Sequence, residues 1–334
     1  MTGRFEEELY IENKIMIMLQ GKPSILFDYY NSLIDETYNT KNNYLRHVIK
    51  FIEYMNDNYE IDFINYDKLN KIKSIHINNH INQYNYKYVR GERVKNTNSY
   101  KANKLSALRN FFEFLCDNDI IEYNPCLRIK TPKDKRLHNV VSLNKDEIQI
   151  IKNNIEKGVG SSRAINYQRK WINRDMAIIM VGITTGLRVS AICNININDI
   201  FFKTKTIKVI EKGDIEKEVH IPNNVIEILK DWMYDREVIL DNYKIDALFI
   251  SSQKKRITTN AVRNIVGKYT YNIDKKITPH KLRSTAATNL LEETDNIYLV
   301  AEVLGHKNIQ NTKKYASMSN DKKIEAANIL GNLF

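Results

Sequence analysis

No stretch of about 18 or more apolar residues occurs anywhere in this chain, so nothing in it reads as a membrane-spanning helix. Its first residues, MTGRFEEELY, are acidic and lack the apolar core of a secretory leader. Cysteine is scarce: Cys116, Cys126 and Cys193 complete the set. None lies in a CxxC pair, and their odd number argues against a disulfide framework. Cys116 and Cys193 fall in apolar helical stretches, where a free thiol behaves as a small hydrophobe. A reducing, cytoplasmic setting fits these absences. The chain also lacks a GxxxxGK[ST] phosphate loop and an acidic triad of the two-metal type, so no ATP, metal or other cofactor is implied.

What is present is a chain of 334 residues, long enough for two domains, with 43% hydrophobic and 27% charged residues. The net charge of +11 favours a polyanionic partner. Residues 1–138 hold 21 Lys and Arg against 18 Asp and Glu; residues 139–334 hold 30 against 22, so the second part is the more basic. Asn, Ile, Lys and Tyr are abundant throughout, as genomic base-composition bias produces.

Residues 1–22 form an N-terminal extension, with Leu9, Ile11, Ile15, Met18 and Leu19 on a short amphipathic helix that Gly21 and Pro23 end. Residues 23–123 carry helical periodicity. The run from Thr40, a candidate N-cap, places Tyr44, Leu45, Val48, Ile49, Ile52 and Met55 three or four apart. A third run covers about 66–83, and a fourth, Asn98–Cys116, aligns Ala102, Leu105, Leu108, Phe111, Phe112 and Leu115. No alternating strand pattern stands out before residue 130, so this part reads as an all-helical bundle. Residues 124–141 (NPCLRIKTPKDKRLHNVV) are basic and without apolar period, as in a linker. Residues 142–334 then read as a mostly helical domain with a small antiparallel sheet. A helix at 145–156, capped with help from Glu147, precedes a polar loop at 157–173 and a helix at 174–184. Strands at 206–210 and 217–221 flank a turn, and helices follow at 223–236, 259–271, 279–292, 297–304 and from Asn311.

Along this second part stand TTGLRVSAI with Arg188, IEKGDIEKEVHIP with Lys212, TPHKLRSTAATNLL with His280 and Arg283, VLGHKNI with His306, and NTKKYAS with Tyr315. A phosphodiester repels nucleophiles through its charged non-bridging oxygens, and attack adds further charge. Two arginines answer this, because a guanidinium is always protonated and donates two parallel hydrogen bonds. A lysine at a hairpin tip suits protonation of a leaving alkoxide. The histidines can donate to the phosphate or exchange a proton with Tyr315, whose phenol serves as nucleophile and then as leaving group.

This ordered set resembles the tyrosine recombinase (phage integrase) family. HKLRSTAATNLL is similar to the family's HxLRHTxAT motif, and LGHKNIQNTKKYAS to LGHxxxxxTxxYxx with the nine-residue step from histidine to tyrosine. TKNNYLRHVIKFIEY and KLSALRNFFEFLCDNDIIEYNP resemble the second and fourth helices of its core-binding domain. The resemblance implies a mainly α fold with a small antiparallel β-sheet, in which a helical core-binding domain and an α/β catalytic domain make a C-shaped clamp on DNA. It implies a nucleoid-associated enzyme, independent of metal and ATP, that joins Tyr315 to a 3′-phosphate and frees a 5′-hydroxyl. Strands are then exchanged pairwise through a Holliday junction. The implied partners are double-stranded DNA with inverted-repeat sites and further copies of the chain, two per site and four in a synapse. With at most the first 20 or so residues available as an arm-binding segment, the chain is nearest a Xer-like recombinase or a small-element transposase. A topoisomerase-like nicking-closing enzyme, a catalytically decayed DNA-binding protein and a metal-dependent nuclease are the rivals.

Two positions depart from the family pattern. Ala191 stands where a supporting carboxylate is usual, and Ser284 where histidine is common. Lys217, across the turn, competes with Lys212 for the acid's role. Candidate DNA contacts outside the pocket are Lys41, then Lys101 and Lys104 facing away from the Leu105–Leu108–Phe112 stripe, and Thr258, Thr259, Asn260 and Arg263 at a helix start. The last residues, DKKIEAANILGNLF, form an amphipathic pattern (Ile324, Ala327, Ile329, Leu330) suited to docking on a neighbouring copy or on the chain itself.

Overall fold

The computed structural model of the chain describes residues 3–83, 86–89, 92–133, 140–210, 216–306 and 308–315. The chain divides into two compact units, Met1–Leu137 and His138–Phe334. The described residues are mainly helical with small antiparallel sheets, and none of their helices is long and apolar enough to cross a membrane.

In the first unit, α1 (Gly3–Leu19), α2 (Ile25–Ser32), α3 (Tyr38–Tyr59), α4 (Ser74–Gln83) and α5 (Asn98–Asp117) enclose a core rich in aromatics, including Tyr29, Phe51, Phe63, Phe111 and Phe112. α1 buries Ile11, Ile15 and Leu19 and packs on α3. The cap of α3 is Thr37 rather than Thr40: Thr37 is extended, and its hydroxyl accepts from the Thr40 amide at 3.3 Å. The stretch 66–83 is not one helix. A 3₁₀ turn, Tyr66–Lys71, ends at extended Ile72, and α4 restarts at Ser74 in a new phase that buries Ile77 and exposes Ile75. The first unit is also not all-helical. β1 (Tyr86–Val89) and β2 (Glu92–Lys95) pair antiparallel with Val89 opposite Glu92. Tyr and Val favour strands, but interleaved Lys, Arg and Glu hide the alternation.

α5 corrects one expected DNA contact. Lys104 is 2% exposed, and its ammonium donates to the His80 carbonyl at 3.1 Å. It lies inside the unit beside two buried histidines, His47 and His80, and burial first, then Lys50 and Lys101, holds its pKa down to about 8. Burial, followed by Lys104, lowers His47 to about 4 and His80 to about 3. An unfolded chain protonates these rings near 6.5, so unfolding takes up protons from there down to about 4 for His47 and about 3 for His80, and stability is lost as the pH is lowered across that window. Every tenfold difference in proton affinity between the folded and unfolded chain corresponds to about 1.4 kcal/mol. The melting temperature is therefore expected to drop steeply from pH 6.5 to pH 4. His80→Phe, which keeps the ring against Phe51 and Tyr54, should flatten that drop; an unchanged slope in thermal melts would contradict the assignment.

In the second unit, α6 (Lys145–Lys157) opens on a capping box in which Asn144 and Glu147 satisfy each other's backbone amides. The segment expected as a polar loop contains α7 (Ser162–Arg169). This helix is too polar to show an apolar stripe, and Gln168 ties it down by bonding both the amide and the carbonyl of Val159. α8 (Ile172–Thr185) is buried on nearly every side and packs against α6, α9 (Val189–Asn194), α10 (Asn223–Leu240), α11 (Thr259–Tyr269) and α12 (Pro279–Thr294). At its start Asp175, fully buried, accepts from Arg174, Lys268 and Tyr269, which fixes α11 on α8. β3 (Ile200–Phe201), β4 (Thr206–Ile210) and β5 (Glu216–His220) form an antiparallel sheet in that order, with Ile210 opposite Glu216. Two short helices, α13 (Ile297–Leu304) and α14 (Gln310–Lys313), complete the described part. Lys212 in the β4–β5 connection, and the expected C-terminal helix with Ile324, Ala327, Ile329 and Leu330, lie outside the described residues.

Candidate active site

The site is assembled at the end of α8. Thr185 donates back to the Val181 carbonyl at 2.5 Å and accepts the Leu187 amide at 3.3 Å, so the chain leaves the helix in a fixed turn. Gly186 supplies the turn's left-handed backbone, φ +64°, and a Cβ there would lie 2.6 Å from a Leu304 methyl. The turn delivers Arg188 to the N-cap of α9 in extended conformation, half-buried.

From α12, begun by Pro279, come His280 and Arg283, three residues apart. Arg283 is 3% exposed. Its Nη1 donates to the Gly186 carbonyl at 2.7 Å and its Nη2 to the Leu304 carbonyl at 2.6 Å, so one guanidinium joins the α8 turn to the end of α13. α13 stops at Gly305, again left-handed at φ +64°, and the turn presents His306. His306 Nδ1 pairs with Thr312 Oγ1 at 2.8 Å. Thr312 is fully buried, and this bond fixes which ring nitrogen faces outward.

Both histidines are held below the ordinary histidine range. Desolvation is the first cause for each; His306, lowered to about 4, then feels Arg283, Lys314, Arg188 and His280. His280 feels Lys314, Lys281, Arg283 and Arg188. Cations from α9's cap, from α12 and from the α14 end thus converge on one spot, an arrangement suited to holding an anion.

Tyr315 lies beside them. It is 4% exposed, packed among Ala287, Val300 and Leu304, with its ring parallel to His306 at 6.5 Å between centroids. Its hydroxyl is buried without a hydrogen-bond partner among the described residues. Lys314 Nζ stands 4.9 Å from the ring centre. Arg188, His280, Arg283, His306 and Tyr315 therefore come together. Thr312 and Lys314 join them unforeseen; Thr312 could have been found as the fixed Thr of the LGHxxxxxTxxY pattern.

Lys217, the rival lysine, points to the end of α13, where its ammonium donates to the Glu302 and Val303 carbonyls. Ala191 is buried in the apolar core, so the usual carboxylate position is filled by a methyl group. Ser284 is buried and donates to the His280 carbonyl at 3.2 Å.

The remaining candidates are scattered. Thr258 caps α11 by accepting from the Ala261 amide at 3.1 Å, and Thr258, Asn260 and Arg263 are exposed with Thr259 half-buried. In the first unit Lys41 lies over the rings of Tyr30 and Tyr38, and Lys101 donates to Asn82 at 3.3 Å.

Residues 141–322 match the model of the Phage integrase family. Tyrosine recombinase XerC of Thermodesulfovibrio yellowstonii is 31% identical over 230 residues, 67% of this chain and 73% of that protein. XerC of Psychromonas ingrahamii is 33% identical over 221 residues, 65% of this chain and 69% of that protein. Among solved structures, the fold is similar to XerH site-specific recombinase bound to palindromic difH substrate, a post-cleavage complex. That similarity has a TM-score of 0.69 at 23% identity and covers 88% of this chain and 81% of that one. A lambda integrase (75–356) dimer bound to a COC′ core site gives a TM-score of 0.61 at 18% identity, covering 87% and 94%.

Proposed function

The chain belongs to the phage integrase family and is a tyrosine site-specific recombinase, and from that premise we propose that it cleaves and rejoins DNA through Tyr315. Arg188 and Arg283 bind the two non-bridging oxygens of the scissile phosphate and take up the charge that grows as attack proceeds. The Tyr315 oxygen forms the bond to phosphorus while the bond to the 5′-oxygen breaks. The phenolic proton passes to His280 or His306, and Lys212 protonates the leaving 5′-oxygen. A 3′-phosphotyrosine and a free 5′-hydroxyl result, and the reverse step joins a new 5′-hydroxyl without outside energy.

The observation that carries this reading is the Arg283 guanidinium bonded to both the turn before Arg188 and the helix end before His306, with the Tyr315 ring parallel to His306 and the cations Arg188, Arg283 and Lys314 acting on both histidines. An arriving phosphate neutralises those cations and raises both imidazoles toward the range where they exchange protons. His306, its Nδ1 held by Thr312, keeps Nε2 for the substrate.

Around this centre, residues 23–123 serve as the core-binding domain, 124–141 as a basic linker and 142–334 as the catalytic domain. Lys41, Lys101 and the start of α11 (Thr258, Thr259, Asn260, Arg263) contact the phosphate backbone. The substrate is duplex DNA with inverted repeats, bound by two copies per site and four in the synapse, with strands exchanged through a Holliday junction. The test uses a duplex selected from a random pool by binding to the chain, placed twice in one plasmid. With chelator present, the purified chain should give recombinant circles. Relaxation alone would favour a nicking-closing enzyme, and cleavage only with added divalent metal would favour a nuclease.

A further inference from the structure

Lysine is out of place on the inner face of a strand. In β5, Glu216, Glu218 and His220 face solvent while Val219 is buried, so Lys217, two residues away, belongs to the inward row. Its ammonium reaches the last turn of α13 and donates to Glu302 O at 2.6 Å and Val303 O at 2.9 Å. The neighbouring carbonyls are also taken: Ala301 O by the His306 amide and Leu304 O by Arg283. Helix ends leave four carbonyls without intrahelical partners, and the negative end of the helix dipole favours cations there. Lys217 and Arg283 thus divide this end between them, immediately before the turn that presents His306.

Lys217 also stands in the first pairs of the β4–β5 ladder, opposite Val209, next to the connection that carries Lys212. The same ammonium therefore ties the hairpin to the helix end that positions His306. We propose that Lys217 is a positioning residue for leaving-group protonation: it ties β5, the strand that follows the connection carrying Lys212, to the end of α13 before His306. This rests on the reading of Lys212 as the general acid, and the experiment separates the two.

The readout is single-turnover cleavage of the pool-selected duplex in two forms, one with the natural 5′-oxygen and one with sulfur bridging at that position. A thiolate leaves without needing a proton, so sulfur rescues any variant whose defect lies in protonation. Lys212→Ala should lose about a hundredfold on oxygen and recover on sulfur. Lys217→Met, which keeps the stem but no donor, should lose about tenfold on oxygen and stay within about threefold of the parent on sulfur. Lys217→Arg, able to reach both carbonyls, should keep most activity. The double variant Lys212→Ala/Lys217→Met should be no slower than Lys212→Ala alone, because Lys217 acts through Lys212. Lys217→Gln, which keeps a neutral donor, is carried alongside in case loss of every donor unfolds the unit.

Equal slowing of the Lys217 variants on both duplexes would make Lys217 a structural cap and overturn the proposal, as would no slowing at all. If Lys212→Ala is active while Lys217→Met is dead on oxygen and rescued on sulfur, Lys217 is itself the acid and both readings fall. If sulfur leaves Lys212→Ala slow while Lys217→Met is rescued, Lys212 is not the acid, and the route through Lys212 proposed for Lys217 falls with it.

Discussion

Tyr315→Phe abolishes the covalent protein–DNA complex, lowering its rate of formation by more than about 10⁴-fold, because the phenyl ring has no oxygen with which to attack phosphorus. The same variant keeps its affinity for the selected duplex within about threefold, since the ring stays among Ala287, Val300 and Leu304. It also melts no lower than the parent. The Tyr315 hydroxyl is buried with no partner among the described residues, and such a group costs about 1–3 kcal/mol, so its removal sacrifices no hydrogen bond. Loss of adduct with undiminished stability separates a chemical role from a packing role, and gel-resolved adduct formation with parallel thermal melts measures both. A variant that still formed adduct, or that unfolded, would assign Tyr315 to the core.

Arg283→Ala has the opposite profile: activity and stability fall together. Its guanidinium joins the Gly186 and Leu304 carbonyls from a position 3% exposed, so truncation leaves two buried acceptors short of a charged donor. A cost of about 2–4 kcal/mol is expected in denaturant melts, together with a loss of about 10³-fold in single-turnover cleavage. Arg283→Lys restores the charge but not the planar fork, and one ammonium cannot span both carbonyls and the phosphate. It should recover much of the stability and little of the rate, remaining about 10²-fold slow. If Arg283→Lys cleaved like the parent, charge alone would suffice and the fork geometry assigned to Arg283 would be wrong.

The parts legible from sequence are those whose cause is local. The capping box at Asn144 and Glu147, and the strands of the β4–β5 hairpin to within a residue, follow from short-range chemistry. The five candidate residues that converge were singled out by their chemistry and order, and their motifs stand at helix ends where Gly186, Pro279 and Gly305 set the backbone. What escaped depends on distant partners. Lys104 sits at the margin of an apolar stripe, and only the His80 carbonyl on another helix explains why it turns inward. Lys217 shows the same effect, its inward place set by α13 some 85 residues along the chain. α7 and β1–β2 escaped because charged and polar residues mask their periodicity, and the tethers that hold α7, through Gln168, are themselves polar. Ala191 remains the departure from the family pattern, and Ala191→Glu would place a charge in an apolar core.

The most direct test of the account is to locate the atom joined to DNA. The chain is trapped on a pool-selected duplex nicked so that the cleaved fragment diffuses away, digested with nuclease and trypsin, and the nucleotide-bearing peptide is sequenced by mass spectrometry. Cleavage after Lys314 should release the peptide beginning at Tyr315 and ending at Lys322, carrying a 3′-linked nucleotide on the tyrosine. A nucleotide on any other residue, or DNA cut with no protein attached, would contradict it.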